Sequence, residues 1–144
     1  MLYRRRDGKR EVLLVHPGGP FWARKDEGAW SIPKGEIGGG ETPIEVARRE
    51  FEEELGAKAP DGELVSLGVV RQAGGKLVRA WAAPGDLDVE GVKSMTFELE
   101  WPPRSGRKQA FPEVDRAAWF DLEEARRKIL AGQAPFIDRL EQIA

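Results

Sequence analysis

Residues 42–56, TPIEVARREFEEELG, read as an amphipathic helix with both ends marked in the sequence. Thr42 takes the N-cap position, Pro43 the first helical position, and Glu45 completes a capping box. Gly56 follows the last periodic residue, where a left-handed stop belongs. At 100° per residue with Ile44 at zero, Ala47, Phe51 and Leu55 fall at about 300°, 340° and 20°, one apolar stripe. Glu53, Glu50 and Glu54 fall at about 180°, 240° and 280°, a contiguous acidic band beside it. A helix of this kind must lay its stripe on a second layer, which leaves the acidic band at the border of that contact.

A solvated face accounts for part of the band, because Arg48 with Glu52 and Arg49 with Glu53 are spaced to pair. Glu50 and Glu54 are different: like charges four residues apart cost about 0.2–0.5 kcal/mol, and more where the stripe excludes water. A bound divalent cation reverses the sign of that repulsion. The chain has no cysteine and one histidine, His16. Disulfides, thiolate metal sites, Cys nucleophiles and multi-histidine zinc sites are therefore excluded. Carboxylate oxygens alone suit a hard ion, Mg²⁺ or Mn²⁺. Such ions usually also hold substrate phosphates, which a metal-activated water can cleave. Gly38-Gly39-Gly40, just before the helix, permits close backbone approach, yet no Lys-Ser or Lys-Thr follows in P-loop spacing. On its own this triplet reads as a turn.

Around this helix the sequence supplies strands. Glu11 to His16 is a short apolar run, with Met1 to Arg4 as the stub of a preceding strand and Asp7-Gly8 as the hairpin turn between them. Residues 17–27 form a turn-rich loop carrying Phe21 and Trp22, and Trp30 to Pro33 is extended. Leu64 to Gln72 and Lys76 to Ala82 read as strands joined at Ala73-Gly74-Gly75, Met95 to Trp101 as another, and Ala117 to Phe120 as a last short one. Pro102 to Gln109 reads as a basic loop, Asp121 as the cap of a helix ending near Gly132, and Pro135 as the start of a final helix. Strands on both sides of a helix, with further helices at the end, predict an α/β or α+β layered domain spanning residues 1–144, with no linker dividing it. Trp119 and Phe120 then point to opposite faces of a sheet covered on both sides, and both belong to the core.

Lys and Arg total 23 against 25 Asp and Glu, a net charge of -2. That balance predicts no nucleic-acid or membrane partner. No apolar run is long enough to span a bilayer, and the basic start lacks the apolar stretch of a signal peptide, so the expected location is cytoplasmic.

Gly35, five residues, Glu41, seven residues, then Arg49-Glu50-Phe51-Glu52-Glu53-Glu54-Leu55-Gly56-Ala57 resembles the signature of the Nudix hydrolase family, G-x5-E-x7-R-E-U-x-E-E-x-G-U. All seven fixed letters match; Phe51 and Ala57 depart from the bulky aliphatic positions, which concern packing. The resemblance implies an α/β Nudix-type α/β/α sandwich with a mixed β-sheet, and hydrolysis of a nucleoside diphosphate linked to another group. It implies Glu50, Glu53 and Glu54, with the carbonyl of Gly35, as ligands of Mg²⁺ (or Mn²⁺). Arg49 would orient a ligand carboxylate, and Glu41 would brace the loop. The general base varies in this family; Glu98, Glu100 and Glu113 are the later candidates here. Glu113 is preferred for its place in a loop after the basic segment.

Trp30-Ser31-Ile32-Pro33-Lys34-Gly35 resembles the W-x-x-P-K-G run of diadenosine polyphosphate hydrolases within that family. Lys34 suits phosphate as a point charge, although an exposed lysine serves as well. Phe21 and Trp22 would stack on a base, or fold over the core. Arg104, Arg107 and Lys108 would gather a polyphosphate, or form a solvated loop. His16 receives no catalytic role. The expected substrate is a nucleotide or dinucleotide polyphosphate, with diadenosine polyphosphates first, nucleoside triphosphates next and ADP-ribose third. The rival readings are a nucleotide-sensing regulator of the same fold without chemistry, and an interaction module whose acidic helix meets a basic partner.

Overall fold

The computed structural model describes residues 1–36 and 40–143. Gly38 and Gly39 of the expected glycine turn lie outside them. In chain order the elements are β1 (Leu2–Arg6), β2 (Lys9–Pro17), β3 (Gly35–Glu36), α1 (Pro43–Leu55), β4 (Val65–Arg71), β5 (Leu77–Pro84), β6 (Thr96–Glu100), β7 (Lys108–Pro112), β8 (Val114–Asp121), α2 (Leu122–Lys128) and α3 (Ala134–Ile143). Short 3₁₀ turns occupy Val89–Gly91 and Ala131–Gln133.

Six strands form a mixed sheet in the order β3-β5-β1-β2-β8, with β4 on the other side of β5. The β1–β5 pair is parallel, and the others are antiparallel. Asp7 and Gly8 join β1 to β2 with φ of 52° and 76°, the doubly left-handed turn that matches strand twist. The two-residue period of the strands divides the core. Val12 and Leu14 of β2 face the layer holding α2 and α3, while Leu13 and Val15 face α1. Phe120 and Trp119 of β8 divide the same way, as the sequence predicts. Phe51 and Leu55 of α1 are buried in the second of these cores. The result is the three-layer α/β/α sandwich with a mixed sheet.

Most strand ends shift by one to three residues from the sequence reading, and four differences have a visible cause. The Ala117–Phe120 strand extends over Val114–Asp121 because its full length pairs with β2. The helix capped by Asp121 stops at Lys128, not near Gly132. Ile129 is extended there and bridges Trp30, while the Leu130 N–H donates to the Trp30 carbonyl. The basic loop is shorter than expected, because Lys108 and Gln109 belong to β7, which pairs with β6 in a separate two-stranded ribbon. Gly35 and Glu36 form a two-residue strand on β5.

Candidate active site

The ends of α1 are fixed as its sequence requires. The Thr42 hydroxyl accepts the Glu45 N–H at 3.4 Å, and Gly56 closes the helix at φ 66°, donating its N–H to the Glu52 carbonyl. The first turn is pressed against β3. A Cβ on Gly35 would lie 2.0 Å from the Pro43 carbonyl oxygen, so only glycine fits. This close approach brings the Lys34 N–H to Glu50 Oε2 at 3.2 Å, across sixteen residues of sequence.

Glu50, Glu53 and Glu54 of the acidic band are half-buried. Glu54 Oε1 is buried and has no hydrogen-bond partner. Burial pushes the Glu54 carboxyl up to about 7, with Glu50, Glu113 and Glu53 adding to the rise and Lys34 opposing it. The Glu113 carboxyl is also raised, first by desolvation and then by Glu53 and Glu50. Four carboxylates and one ammonium therefore share one electrostatic field. Glu113 sits between β7 and β8 and is tied to the helix by backbone. Its N–H donates to Met95 O at 2.8 Å, and the Met95 N–H donates to Glu53 O at 2.7 Å.

Arg49 stands on the outer side of the band. It donates to Glu41 through Nε and Nη2, the shortest contact being 2.8 Å, and reaches Glu53 at 3.4 Å. Glu41 and Glu53 thus share one guanidinium, that of Arg49. Arg48 and Glu52 do not pair with each other. Arg48 donates to the Pro60 carbonyl and Glu52 accepts the Ala59 N–H, so both secure the chain beyond the helix.

Other candidates lie elsewhere. Glu98 and Glu100 are on the exposed side of β6, opposite Ala110 and Lys108. Glu113 is the later glutamate that meets the field of the helix. Trp22 packs against the main core, whereas its neighbour Phe21 is 61% exposed. Lys108 is five strand residues from Glu113, about 17 Å at the usual rise, and Arg107 lies beyond it.

Sequence reasoning missed the role of His16. It is fully buried: Nε2–H donates to the Lys25 carbonyl at 2.6 Å, and Nδ1 meets Asp115 Oδ1 at 2.9 Å. It pins the loop after β2 to the start of β8, two residues from Glu113. The partners are 9 and 99 residues away, so no local pattern announces the contact.

Among the described residues no group of three or more His, Cys, Asp or Glu forms a ready metal cage. Glu50 is turned to the Lys34 N–H and Glu53 to Arg49. The donor set still fits a hard divalent cation: Glu54 Oε1 is buried without a partner, and its carboxyl is raised first by burial and then by Glu50, Glu113 and Glu53, so a cation beside it would favour the carboxylate.

A match to the NUDIX domain covers residues 1–140. An RNA pyrophosphohydrolase of Pseudoalteromonas translucida is 38% identical over 56 residues, 38% of this chain and 33% of that protein. The matched stretch spans about a third of the length of this relative. Among solved structures, the NUDIX domain of Shewanella oneidensis NrtR complexed with ADP ribose superposes with a TM-score of 0.61 at 19% identity. That likeness covers 98% of this chain and 82% of the other. A C. elegans Ap4A hydrolase gives 0.59 at 23% identity, covering 98% and 90%. These two likenesses concern the fold.

Proposed function

The chain belongs to the NUDIX domain family, and from that premise we propose that it is a divalent-cation-dependent pyrophosphohydrolase acting on a phosphoanhydride of a nucleotide. The observation that carries this reading is Glu54, a buried carboxylate with an unpartnered oxygen inside the field of Glu50, Glu53 and Glu113. In this proposal Glu50, Glu53 and Glu54, with the Gly35 carbonyl, hold Mg²⁺, for which Mn²⁺ can substitute. When bound, the cation supplies countercharge to the diphosphate and acidifies water.

The chain's own residues do the rest. Glu113 accepts the proton of the attacking water; its raised carboxyl brings it nearer to the range in which a general base is efficient. The water oxygen forms a bond to phosphorus as the anhydride P–O bond breaks, and the departing phosphate takes the electron pair. Lys34, already within the field of Glu54, holds phosphate charge. Arg49 keeps Glu53 in place, with Glu41 behind it.

Diadenosine polyphosphates are the first substrate on the W-x-x-P-K-G run, nucleoside triphosphates the next and ADP-ribose the third. An Ap4A hydrolase and an ADP-ribose-bound domain among the fold neighbours name two of these classes and do not rank them. The name of the sequence relative, an RNA pyrophosphohydrolase, adds RNA as a further class. No helix among the described residues is long and apolar enough to cross a membrane, and a cytoplasmic setting is part of the proposal.

The test is incubation with Mg²⁺ and a panel of dinucleotide polyphosphates, triphosphates and ADP-ribose, with product identification. Phosphate-chain cleavage that requires the divalent ion supports the reading. Nucleotide binding with no Mg²⁺-stimulated cleavage would favour the sensing regulator, and binding that ignores divalent ions the interaction module.

A further inference from the structure

Strand β8 carries one residue more than β2 where the two begin to pair. His16 lies opposite Arg116 and Pro17 opposite Val114, so Asp115 is the extra residue of a β-bulge. The insertion changes which residues face which layer. Ala117 and Trp119 belong to the core on the α1 side, and beyond the bulge so does Val114. Arg116 faces the other layer, where its guanidinium lies 5.2 Å from the centroid of the Trp30 ring. A one-residue slip in this register would turn Val114 out of its core and carry along Glu113, the residue before it.

The two sides of the bulge are held differently. On the Glu113 side the bonds are to main chain and to one hydroxyl. Glu113 donates its N–H to Met95 O and accepts the Gly18 N–H at 2.9 Å, and the Ser94 hydroxyl accepts the Val114 N–H at 3.0 Å. The inserted residue is tied by its side chain, with Asp115 Oδ1 at 2.9 Å from His16 Nδ1 and Arg116 farther off at 3.9 Å. The His16 ring is fixed in turn. It is fully buried, its Nε2–H donates to the Lys25 carbonyl, and the Trp30 ring meets it edge-on with centroids 5.1 Å apart. A buried polar pair with every partner in place admits one arrangement, whereas an apolar contact at the same point would let the strands slide.

We propose that His16 and Asp115 are positioning residues, whose bond locks the bulge and thereby holds Glu113 at the α1 carboxylates. Both act through Glu113, which lies near enough to α1 for Glu53 and Glu50 to act on its carboxyl. The same ring reaches Glu113 by a second route. Through Lys25 it ties down the loop after β2, and Gly18 of that loop bonds the Glu113 carbonyl. The proposal rests on the hydrolase reading above, with Glu113 as proton acceptor, and adds the residues that set where that acceptor stands.

The experiment is a double-mutant cycle in kcat, run with Mg²⁺ on the member of the panel above that is cleaved fastest. Asp115→Ala and His16→Leu are each made in the wild type and in Glu113→Gln. Urea unfolding selects a temperature at which every variant is folded. In the wild-type background each substitution should lower kcat by about 10–100-fold with little change in KM, as a misplaced reacting group does. In the Glu113→Gln background each should lower it by less than about twofold further, because the group they position is already gone. Asp115→Asn, which keeps a hydrogen-bonding partner for the ring, should recover most of the loss. Equal losses in both backgrounds, or none in either, would overturn the positioning role while leaving hydrolysis established. A kcat that Glu113→Gln itself does not lower overturns it as well. If no substrate is cleaved, the hydrolase reading fails, and amide hydrogen exchange of wild type and Asp115→Ala still decides the lock. Faster exchange confined to Gly18, Glu113 and Val114 supports it; exchange unchanged there, or raised throughout the chain, overturns it.

Discussion

Helices α1 and α2 carry their charges in opposite senses. In α2, Glu123 and Glu124 stand in the first turn and Arg126, Arg127 and Lys128 in the last, each opposite in sign to the helix dipole beside it. In α1 the last turn holds Glu52, Glu53 and Glu54 with no basic residue. Those acids meet the negative end of their own helix and one another. Helix α2 is charged for its own stability. Helix α1 is charged against it and leans on caps and on the burial of Phe51 and Leu55. Carboxylates retained under such a penalty point to positive charge supplied from outside the helix.

The largest effect that tests this contrast is on turnover. Loss of a group that merely supports a metal ligand costs about 10–100-fold, so Glu54→Gln, which removes a ligand, should lower kcat by more than about 100-fold. A steady-state assay reads it, and near-normal turnover would dissolve the contrast. The next effect is on stability without metal. The Glu54 carboxyl is raised from 4.5 to about 7 in the folded chain, mainly by burial. The folded state therefore holds this proton more tightly than the unfolded chain, and the penalty is absent below about pH 4.5 and complete above about pH 7. Its size is about 3 kcal/mol, at roughly 1.4 kcal/mol for each tenfold gain in proton affinity. In EDTA, wild type should lose most of that between pH 5 and pH 8 in urea unfolding, and Glu54→Gln should lose much less of it. Added Mg²⁺ should restore the wild type alone.

A smaller effect asks whether burial by itself sets the cost. His16 is as buried as any group in the chain, but both its ring nitrogens have partners. His16→Leu leaves the Lys25 carbonyl without its donor and Asp115 with only the longer Arg116 contact at 3.9 Å, and should destabilise by about 1–3 kcal/mol, the reverse of Glu54→Gln. Matching signs in chemical denaturation would mean that hydrogen-bond satisfaction is not what separates the two. The smallest effect lies in α2: Arg127→Glu should cost about 0.3–1 kcal/mol, readable as a fall in Tm.

The sequence made α1 legible to its caps because helix ends are encoded within a few residues. The apolar run of β2 and the opposite facing of Trp119 and Phe120 in β8 were legible for the same reason. What escaped notice depends on partners far along the chain. Gly35 and Glu36 become a strand only because β5 passes beside them. Lys108 and Gln109 look like loop until β6 pairs with them. Ile129 leaves the helical pattern because Trp30 draws it into a bridge. Within the site, spacing marked the helix glutamates, and position marked Glu113. The His16–Asp115 contact and the separation of Phe21 from Trp22 needed the folded chain.

Glu53, Met95, Glu113 and Gly18 are laced in sequence by main-chain bonds, so helix end, ribbon root, the β7–β8 junction and the loop after β2 make a single truss. A load on the ribbon's outer end is therefore passed by main-chain bonds alone to the last turn of α1 and to the loop after β2.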